Sequence, residues 1–596
     1  MPQALRQIPQ WINGLDIWTR EHLAWLAEQP RLAAAFLVLL CLALYLPGIA
    51  TLPVTDRDEA RFAQASKQML ETGNYVDIRF QENPRYKKPI GIYWLQSASV
   101  KTLSPGDFTQ IWAYRVPSLL GIIVGVLLTW WAALPIFGRK NALLAAALLA
   151  SALTLTMEAR IAKSDAVLFA CIVAMQGALA RLYLLPSVGA RSAALFWGAL
   201  GAGVLIKGPV APAIAALTIA TLLIFDRDRS WLKNMRSRWG VPMMLAITLP
   251  WFIAIGIASK GAFFQQAIGE DFLAKLASGK EKHWGPPGFY FVLFWWSFWP
   301  AALVVPGGVA IWLWRNAKVH RKALFLLAWI IPFWIVLEAV PTKLPHYAMP
   351  LYPAIAMGAA WVLNIMLEGQ ISRLRSYTHA AALWLFVALA QAGFLAFLLV
   401  YFQIVPSVWE VLIALIFIAG ALATAWAAWH GRFYAALATG AICAVLLYTA
   451  AFRMVVPSVD QVWISRQIAE VVTALRPCAR APVVSSFREP STVFLLGTHT
   501  ALTSRKNVLP LAKKNALALP KLPGEMSPSD QLVVTDAETL KKDQSTKLPV
   551  LACIKGFNIN GGKPVHLRVL GMGSRKVYAS CPVPEQYACD GDDAGH

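Results

Sequence analysis

The sequence predicts an all-α membrane protein with about thirteen transmembrane helices and a small α/β domain at its C-terminal end. Hydrophobic residues fill 57% of the 596 positions and charged residues only 14%, whereas soluble globular domains carry about a quarter charged residues. Apolar runs of about 20 residues, the length that crosses a bilayer core, recur between residues 33 and 451. From residue 453 onward the runs stop, and polar segments with Pro and Gly take their place.

The apolar runs define the individual spans. Trp and Arg are interspersed through the first 30 residues, which are expected to form an interfacial segment. No cleavage site follows them, so no cleavable signal peptide is expected. Only Lys207-Gly208-Pro209 separates the fifth and sixth spans. The predicted spans are 33–52, 114–137, 141–157, 164–185, 193–206, 209–225, 240–258, 289–314, 322–340, 347–367, 379–402, 408–428 and 432–451.

Basic residues in the short loops set the expected orientation, because Lys and Arg collect on the cytoplasmic side. With a cytoplasmic N-terminus, the loops after the even-numbered spans are cytoplasmic, and these loops carry the basic residues, for example at 138–140, 226–238 and 315–322. An odd number of spans then places the C-terminal domain outside, in the periplasm. The net charge of +22 is dispersed over such loops, which argues against an extended groove for nucleic acid.

Two long segments lie on the predicted outer side, at 53–113 and 259–288. The first contains RFAQASKQMLETG and PIGIYWLQSASVK, whose apolar residues recur at helical spacing. Both are predicted to be amphipathic helices lying in the membrane interface with their apolar faces toward the lipid.

The predicted outer domain, residues 453–596, alternates strand-like and helical segments. PVVSSF, HTALTS, QLVVTD and HLRVLGM resemble strands, and EPSTVFLLG resembles a helix. Four cysteines in an oxidising compartment predict up to two disulfides, for which three pairings exist. Pairing of Cys478 with Cys553 and of Cys581 with Cys589 is expected, because the first two each neighbour a predicted strand. Three more cysteines lie inside predicted spans and are expected to be packing residues: Cys41, Cys171 and Cys443.

Charged and polar residues gather near the predicted outer ends of the spans, where they require an explanation. The stretch VTDRDEARFAQ follows the first span directly. A carboxylate near several cations stays ionised and can accept a proton from an alcohol. Cations around a leaving phosphate would stabilise its developing charge. The candidate catalytic residues are Asp58, Glu59 and Asp165, and the candidate substrate-binding residues are Lys87, Lys88, Lys275, His283, Lys343, His346 and Tyr347.

Simpler interpretations stay open for several of these residues. Asp58 could cap the first interfacial helix, Lys87 could be solvated, and His283 could structure the loop around Trp-Gly-Pro-Pro. No cofactor is firmly indicated: His283 and His346 with nearby carboxylates could hold a divalent metal, but no spacing matches a ligand motif. For Asp56, Arg57 and Arg61 the simpler interpretation is that they are surface residues or helix-capping residues.

Four motifs together resemble the GT-C glycosyltransferases. They are DEARFA after the first span, YKKPIGIYWL, SDAVLF at the start of the fourth span, and KLPHYAMPLYPA. The resemblance covers the whole chain and is strongest to the bacterial branch of lipid A aminoarabinose transferases and relatives of the protein O-mannosyltransferases.

The resemblance implies particular roles. Asp58 would be the catalytic base with Glu59 beside it, Asp165 would match the family's aspartate at the start of the fourth span, Lys88 would contact phosphate, and Tyr347 would match the family's tyrosine before the tenth span. Two departures from the family pattern are Lys87, where the family has Glu, and Lys275, where it often has Arg. Lysine lacks the bidentate phosphate geometry of arginine. These departures predict a sister enzyme with a different sugar or acceptor.

The expected function is transfer of a hexosyl or pentosyl group from a polyprenyl-phosphate donor, with inversion, to an envelope lipid or glycan of the lipid A or core type. The reaction would take place at the outer face of the bacterial inner membrane. Protein O-glycosylation is the alternative acceptor chemistry. A lipid-linked sugar flippase is the alternative of a different class, but it should carry charges near the membrane midplane and often an internal repeat, and the sequence shows neither.

Overall fold

A computed structural model gives the architecture of the chain. It describes residues 9–186, 188–267, 269, 284–305, 315–316, 320–367, 376–479, 481–518, 531–542, 548–572, 578, 581 and 583–589.

The N-terminal segment forms two helices, α1 (Gln10–Ala27) and α2 (Pro30–Tyr45), which are bent by 119° relative to each other. Pro30 stands at the first helical position of α2, where its fixed φ suits a helix start. Trp11, Trp18 and Trp25 on α1 are each more than half exposed. Indole rings exposed on a helix beside an apolar helix are typical of a segment at the membrane–water interface.

The first predicted outer loop contains both expected helices. Phe62 and Met69 are 5% and 2% exposed, and the Phe62 and Tyr93 rings lie 5.5 Å apart. The prediction of two helices is confirmed. Phe62 and Met69 of the first helix pack within the chain, whereas Trp94, Leu95 and Leu103 of the second are exposed, so the interfacial position of the second helix stays a prediction. The elements are α3 (Asp58–Thr72), β1 (Arg79–Phe80), β2 (Asn83–Pro84) and α4 (Gly91–Leu103).

Apolar helices make up the membrane part and confirm a multi-pass membrane protein. In the described residues, eight helices are long and apolar enough to cross a bilayer, or nine if α1 and α2 form one broken span. Among the described residues the thirteen predicted spans are not all seen as long helices: some form shorter helices, and the span at 141–157 breaks at Ala152. Residues 306–314 of the predicted span 289–314 lie outside the described residues. The helices are α5 (Ile111–Phe137), α6 (Arg139–Ser151), α7 (Leu153–Glu158), α8 (Asp165–Leu184), α9 (Ala190–Lys207), α10 (Val210–Phe225), α11 (Ser237–Ala258), α12 (Phe289–Ser297), α13 (Arg321–Ala339), α14 (Tyr352–Leu367), α15 (Ser376–Tyr401), α16 (Val408–Trp429) and α17 (Phe433–Thr449).

Two basic loops that were predicted to share the cytoplasmic side meet in the structure. The Arg321 Nε atom lies 2.9 Å from Asp226 Oδ2, and Arg321 Nη1 lies 3.3 Å from Asp228 Oδ2. The loops before α11 and α13 are therefore at the same end of the bundle. Which compartment this end faces stays a prediction.

The C-terminal segment folds around a mixed five-stranded sheet, as the sequence predicted. The strand order is β4-β3-β5-β7-β6, with β3 parallel to β4 and β5, and β7 antiparallel to β5 and β6. The boundary of this predicted domain at residue 453 stays a prediction. The elements are α18 (Ile464–Leu475), β3 (Val484–Ser485), α19 (Pro490–Leu496), β4 (Ala501–Leu502), α20 (Val508–Ala518), β5 (Leu532–Asp536), α21 (Ala537–Lys542), β6 (Val550–Asn558) and β7 (Lys563–Gly571).

The two disulfides exist, but the expected pairing is wrong. Cys478 joins Cys581 and Cys553 joins Cys589, with Cα atoms 6.3 and 5.1 Å apart. After β7 the chain returns across the domain, first to the end of α18 and then to β6, so each late cysteine meets an early one. The three remaining cysteines are free and buried or half-buried, which confirms their predicted packing role.

The C-terminal segment is fastened to α3 by hydrogen bonds. Lys67 Nζ donates to the Phe494 carbonyl oxygen at 2.9 Å, and Gln64 Nε2 donates to Thr498 Oγ1 at 2.8 Å. Ser491 Oγ donates to Asp56 Oδ1 just before α3 begins. The helix that carries Asp58 is therefore held between the membrane helices and α19 with the loop that follows it.

Candidate functional site

Glu59 forms a buried ion pair that anchors the start of α3. Arg115 Nε and Nη2 donate to its two carboxylate oxygens at 2.8 and 2.9 Å, and both side chains are fully buried. Thr55 and the Ala162 amide donate to the same carboxylate. Burial alone would raise the pKa of Glu59, but Arg115 and these hydrogen bonds hold it below its usual value. These contacts give Glu59 a structural role. A role of Glu59 in the reaction stays a prediction.

Asp58 lies beside Glu59 in sequence but is exposed, at the first position of α3. No side-chain capping hydrogen bond forms at this helix start, where Arg57 occupies the N-cap position. The helix-capping interpretation of Asp58 is therefore not supported. Burial lowers the pKa of Lys163, but the carboxylates of Glu158, Asp165 and Asp58 raise it above its usual value. Asp58 is thus one of the carboxylates whose charge acts on Lys163, just before α8.

The charged residues at the end of α7, the start of α8 and the end of α9 form one network. Lys207, the last residue of α9, donates to Asp165, the first residue of α8. His346 lies between Glu158 and Asp165, with each ring nitrogen 3.5 Å from a carboxylate oxygen. Lys163 Nζ is 3.0 Å from Glu158 Oε1. Buried charges persist when they are paired in this way.

One end of a large cavity opens onto this network. The cavity holds about 600 Å³, a volume that suits a small ligand or part of a larger one. Its polar end presents Asp165, Lys207, His346 and Tyr347, and Lys87 and Lys88 also line the cavity. The Lys207 ammonium also lies 5.1 Å from the centre of the Tyr347 ring. The remaining wall is mostly apolar and is built by Leu168, Val204, Pro209, Val210, Pro212, Ala213, Phe252, Phe263, Phe264, Ala267, Phe333, Val336, Leu337, Val340, Met349 and Pro350.

The predicted site residues divide into three groups. Those that line the cavity are Lys87, Lys88, Asp165, His346 and Tyr347. Those that the structure describes elsewhere are Asp58, Glu59 and Lys343; the last donates to the carbonyl oxygens of Leu337 and Glu338 at 2.6 and 2.7 Å. Lys275 and His283 lie outside the described residues.

Sequence reasoning missed Lys207, Lys163 and Glu158. Lys207 appeared only as a boundary between two spans, although a lysine within the apolar stretch VLIKGPV is itself a signal, since a charge there needs a partner. Its partner Asp165 is 42 positions away, so the pair is visible only once α8 and α9 pack together.

In the part of the chain that the structure describes, no group of three or more His, Cys, Asp or Glu side chains is arranged to hold a metal ion.

The chain is similar in sequence to one family model and to several bacterial enzymes. A model of the dolichyl-phosphate-mannose-protein mannosyltransferases matches residues 87–253, a range that includes Lys88, Asp165 and Lys207. An undecaprenyl phosphate-alpha-4-amino-4-deoxy-L-arabinose arabinosyl transferase of Aeromonas hydrophila is 26% identical over 371 residues, which are 61% of this chain and 65% of the relative. The corresponding enzyme of Erwinia tasmaniensis is 27% identical over 306 residues, which are 50% of this chain and 54% of that enzyme. The chain thus spans less than two thirds of the length of these relatives.

A solved structure decides the fold. The crystal structure of ArnT from Cupriavidus metallidurans bound to undecaprenyl phosphate superposes with a TM-score of 0.70, covering 92% of this chain and 99% of that one at 18% identity. The chain has the GT-C fold. The resemblance predicted from the four motifs is therefore confirmed. The Archaeoglobus fulgidus oligosaccharyltransferase is similar at a TM-score of 0.52 and 13% identity, covering 86% of this chain and 70% of that one.

Proposed function

We propose that this chain is a membrane glycosyltransferase that takes a sugar from an undecaprenyl-phosphate donor and transfers it to an envelope lipid or glycan. The observation that carries the proposal is the cavity with a mostly apolar wall, whose lining also includes the cations Lys87, Lys88 and Lys207. An isoprenoid chain matches the wall and a phosphate matches the cations. The names of the relatives include undecaprenyl phosphate, and the superposed ArnT structure is bound to it. Both support an undecaprenyl-phosphate donor.

The polar end of the cavity suits the departure of a lipid phosphate. Cations placed before the reaction stabilise the negative charge that develops on the leaving phosphate. Asp165 and Lys207 pair with each other, so the lysine is fixed and its remaining N–H groups can be directed to phosphate oxygens. Tyr347 beside Lys207 adds a hydroxyl at the same end.

Asp58 is the proposed general base. It is exposed and therefore accessible to an acceptor, and its helix is held by the Glu59–Arg115 pair. Asp58 would take the proton from the acceptor as the acceptor oxygen attacks the anomeric carbon, and the bond from that carbon to the lipid phosphate would break on the opposite side. The result is inversion at the anomeric carbon. Glu59 would act through Asp58 as a positioning residue.

The site would lie at the periplasmic face of a bacterial inner membrane, with the C-terminal domain outside. This orientation follows from the basic loops, two of which meet at one end of the bundle. The acceptor would be of the lipid A or core type. Protein O-glycosylation is the second candidate, favoured by the match to the protein mannosyltransferase model.

Purified protein in lipid nanodiscs tests the proposal. Undecaprenyl phosphate-4-amino-4-deoxy-L-arabinose is the first donor to supply, with undecaprenyl-phosphate mannose as the hexose comparison, and envelope lipid extract or peptide as the acceptor. Mass spectrometry of the products should show one added sugar on the lipid. Sugar on the peptide alone would favour the second candidate, and no product with either donor would contradict the proposal.

A charge variant tests the donor site separately. Lys207→Gln combined with Asp165→Asn removes both charges of the pair, so the net charge of the network stays the same. This variant should bind undecaprenyl phosphate at least ten-fold more weakly than the wild type. Lys233→Gln, an exposed lysine between α10 and α11, is the control and should bind normally.

A further inference from the structure

A second cavity lies between the start of α3 and the C-terminal sheet. It holds about 800 Å³, which is within the range of ligand pockets. The membrane part contributes Arg57 and Arg61 to its wall, and all of the other lining residues belong to the C-terminal segment. They are Ser486, Phe487, Arg488, Glu489, Pro490, Leu502, Ser504, Arg505, Lys506, Asp536, Asn558, Lys563, Val565 and Leu567.

The charge of this cleft is strongly positive. Six cations and two carboxylates line it. One carboxylate, Asp536, is buried and already paired with Arg505 at 3.1 Å, and the other, Glu489, lies 3.5 Å from Asn558 Nδ2. Arg57, Arg488, Lys506 and Lys563 are all exposed. Cations concentrated in a concave surface attract anions more strongly than cations dispersed over a convex one.

The two walls are held in a fixed relation. Arg57 Nη2 reaches across to the Asn560 carbonyl oxygen at 3.4 Å, and Ser491 donates to Asp56. Arg57 also has a φ of 65°, an unfavourable value for a residue with a side chain that tends to persist at functional positions. The cleft is thus built by both parts of the chain, and Arg57 and Arg61 flank the proposed base Asp58 in sequence.

We propose that this cleft binds the phosphorylated saccharide part of the acceptor. The inference rests on the proposed function, because it places the acceptor beside Asp58 while the donor occupies the other cavity. Four of the six cations are arginines, whose planar guanidinium groups bind phosphate oxygens in pairs. Three apolar residues, Phe487, Val565 and Leu567, also line the cleft, and a sugar ring can pack against apolar side chains of this kind. The volume suits one or two sugar rings with their phosphates.

Binding measurements on the full chain test the cleft without requiring turnover. The protein is placed in phosphatidylcholine nanodiscs at low salt and titrated with glucose 1,6-bisphosphate or with glucose. The bisphosphate should bind and glucose should not. Arg488→Gln/Lys563→Gln should weaken bisphosphate binding at least ten-fold, because each phosphate loses a cation. Equal binding by this variant and the wild type would overturn the proposal.

Matched controls separate the cleft from general charge. Lys513→Gln/Lys514→Gln removes the same charge from exposed positions on α20 that do not line the cleft, and it should bind glucose 1,6-bisphosphate as the wild type does. An equal loss in this control would also overturn the proposal. Undecaprenyl phosphate should bind all three proteins alike.

A competition experiment identifies the source of the phosphate. Nanodiscs that contain a bisphosphorylated glucosamine disaccharide lipid should exclude glucose 1,6-bisphosphate, and nanodiscs with the dephosphorylated lipid should not. Exclusion by neither lipid, or by an acidic peptide instead, would overturn the assignment to a membrane-borne acceptor. If the cleft binds phosphosaccharide but no sugar is transferred, the proposed function alone fails. If transfer proceeds with an unchanged acceptor KM in Arg488→Gln/Lys563→Gln, this inference alone fails.

Discussion

Asp58 and Asp56 are two positions apart but differ in surroundings. Asp58 is exposed at the first turn of α3, whereas Asp56 accepts a hydrogen bond from Ser491. Asp58→Asn removes the proposed base, so kcat should fall by about 10²–10⁴-fold, while the melting temperature stays near that of the wild type. Transfer assays and thermal unfolding measure both.

Asp56→Asn is the control for that substitution, since it makes the same chemical change two residues away. It should keep its kcat. Wild-type turnover in Asp58→Asn together with an inactive Asp56→Asn would show that the wrong carboxylate was chosen.

The Glu59–Arg115 pair predicts a large effect on stability. Glu59→Gln leaves the buried guanidinium of Arg115 without its charge partner, and breaking a buried pair in this way costs about 3–5 kcal/mol. The same substitution at Glu28, whose pair with Arg139 is exposed, should cost about 0–1 kcal/mol. Thermal unfolding in detergent compares the two. Similar melting temperatures for the two variants would contradict the anchoring role of Glu59.

At the residue scale, the sequence indicated which residues are charged but not which of them pair. The motif DEARFA begins with two carboxylates of similar chemistry, Asp58 and Glu59. Only the packing of α3 on α5 buries Glu59 against Arg115 and leaves Asp58 exposed. Lys88, Asp165 and Tyr347 could be placed together because family motifs marked them. Lys207 could not, since its partner is distant in the chain.

At the scale of elements, the disulfides of the C-terminal sheet give the next prediction. Cys553 in β6 is bonded to Cys589 over a separation of 36 residues. Cys553→Ser/Cys589→Ser should therefore destabilise the domain by about 4 kcal/mol in the chain-entropy model. Turnover per folded molecule should change little, because the proposed donor site is in the membrane part. Limited proteolysis of the C-terminal segment and transfer assays measure these two effects.

Peptide mapping under non-reducing conditions checks the connectivity itself. A fragment that joins the peptides of Cys478 and Cys581 is expected. A fragment that joins Cys478 to Cys553 would contradict the structure and restore the pairing first expected from the sequence. That expectation failed because a place beside strands of one sheet does not fix which cysteines pair, and the return of the chain after β7 has no sequence signal.

At the scale of the whole molecule, hydrophobicity and motif order predicted the architecture well. Local patterns of hydrophobicity predict the apolar spans, the two helices of the first outer loop and the C-terminal sheet. Two features did not follow. The number of regular spans depends on where helices break, as at Ala152, and the cleft between α3 and the C-terminal sheet depends on how two distant segments pack.

The contact between those two segments should depend on pH. Burial raises the pKa of Asp56 from 3.8 to about 6, although the hydrogen bond from Ser491 and the nearby Arg57 oppose the shift and Glu489 adds to it. A carboxyl whose pKa is raised on folding favours the folded contact when it is protonated. Its contribution is therefore complete below a pH of about 4 and is lost as the pH rises through about 6.

Hydrogen exchange in α19 and the first turns of α3, corrected for the intrinsic pH dependence of exchange, measures this effect. Protection should be greater at pH 5 than at pH 7.5 in the wild type. Asp56→Asn cannot ionise, so its protection should be the same at both pH values and at least as great as that of the wild type at pH 7.5. A wild-type contact equally protected at both pH values would show that Asp56 ionises at no energetic disadvantage there. The C-terminal wall of the cleft would then be held independently of that carboxyl, by Lys67, Gln64 and Arg57.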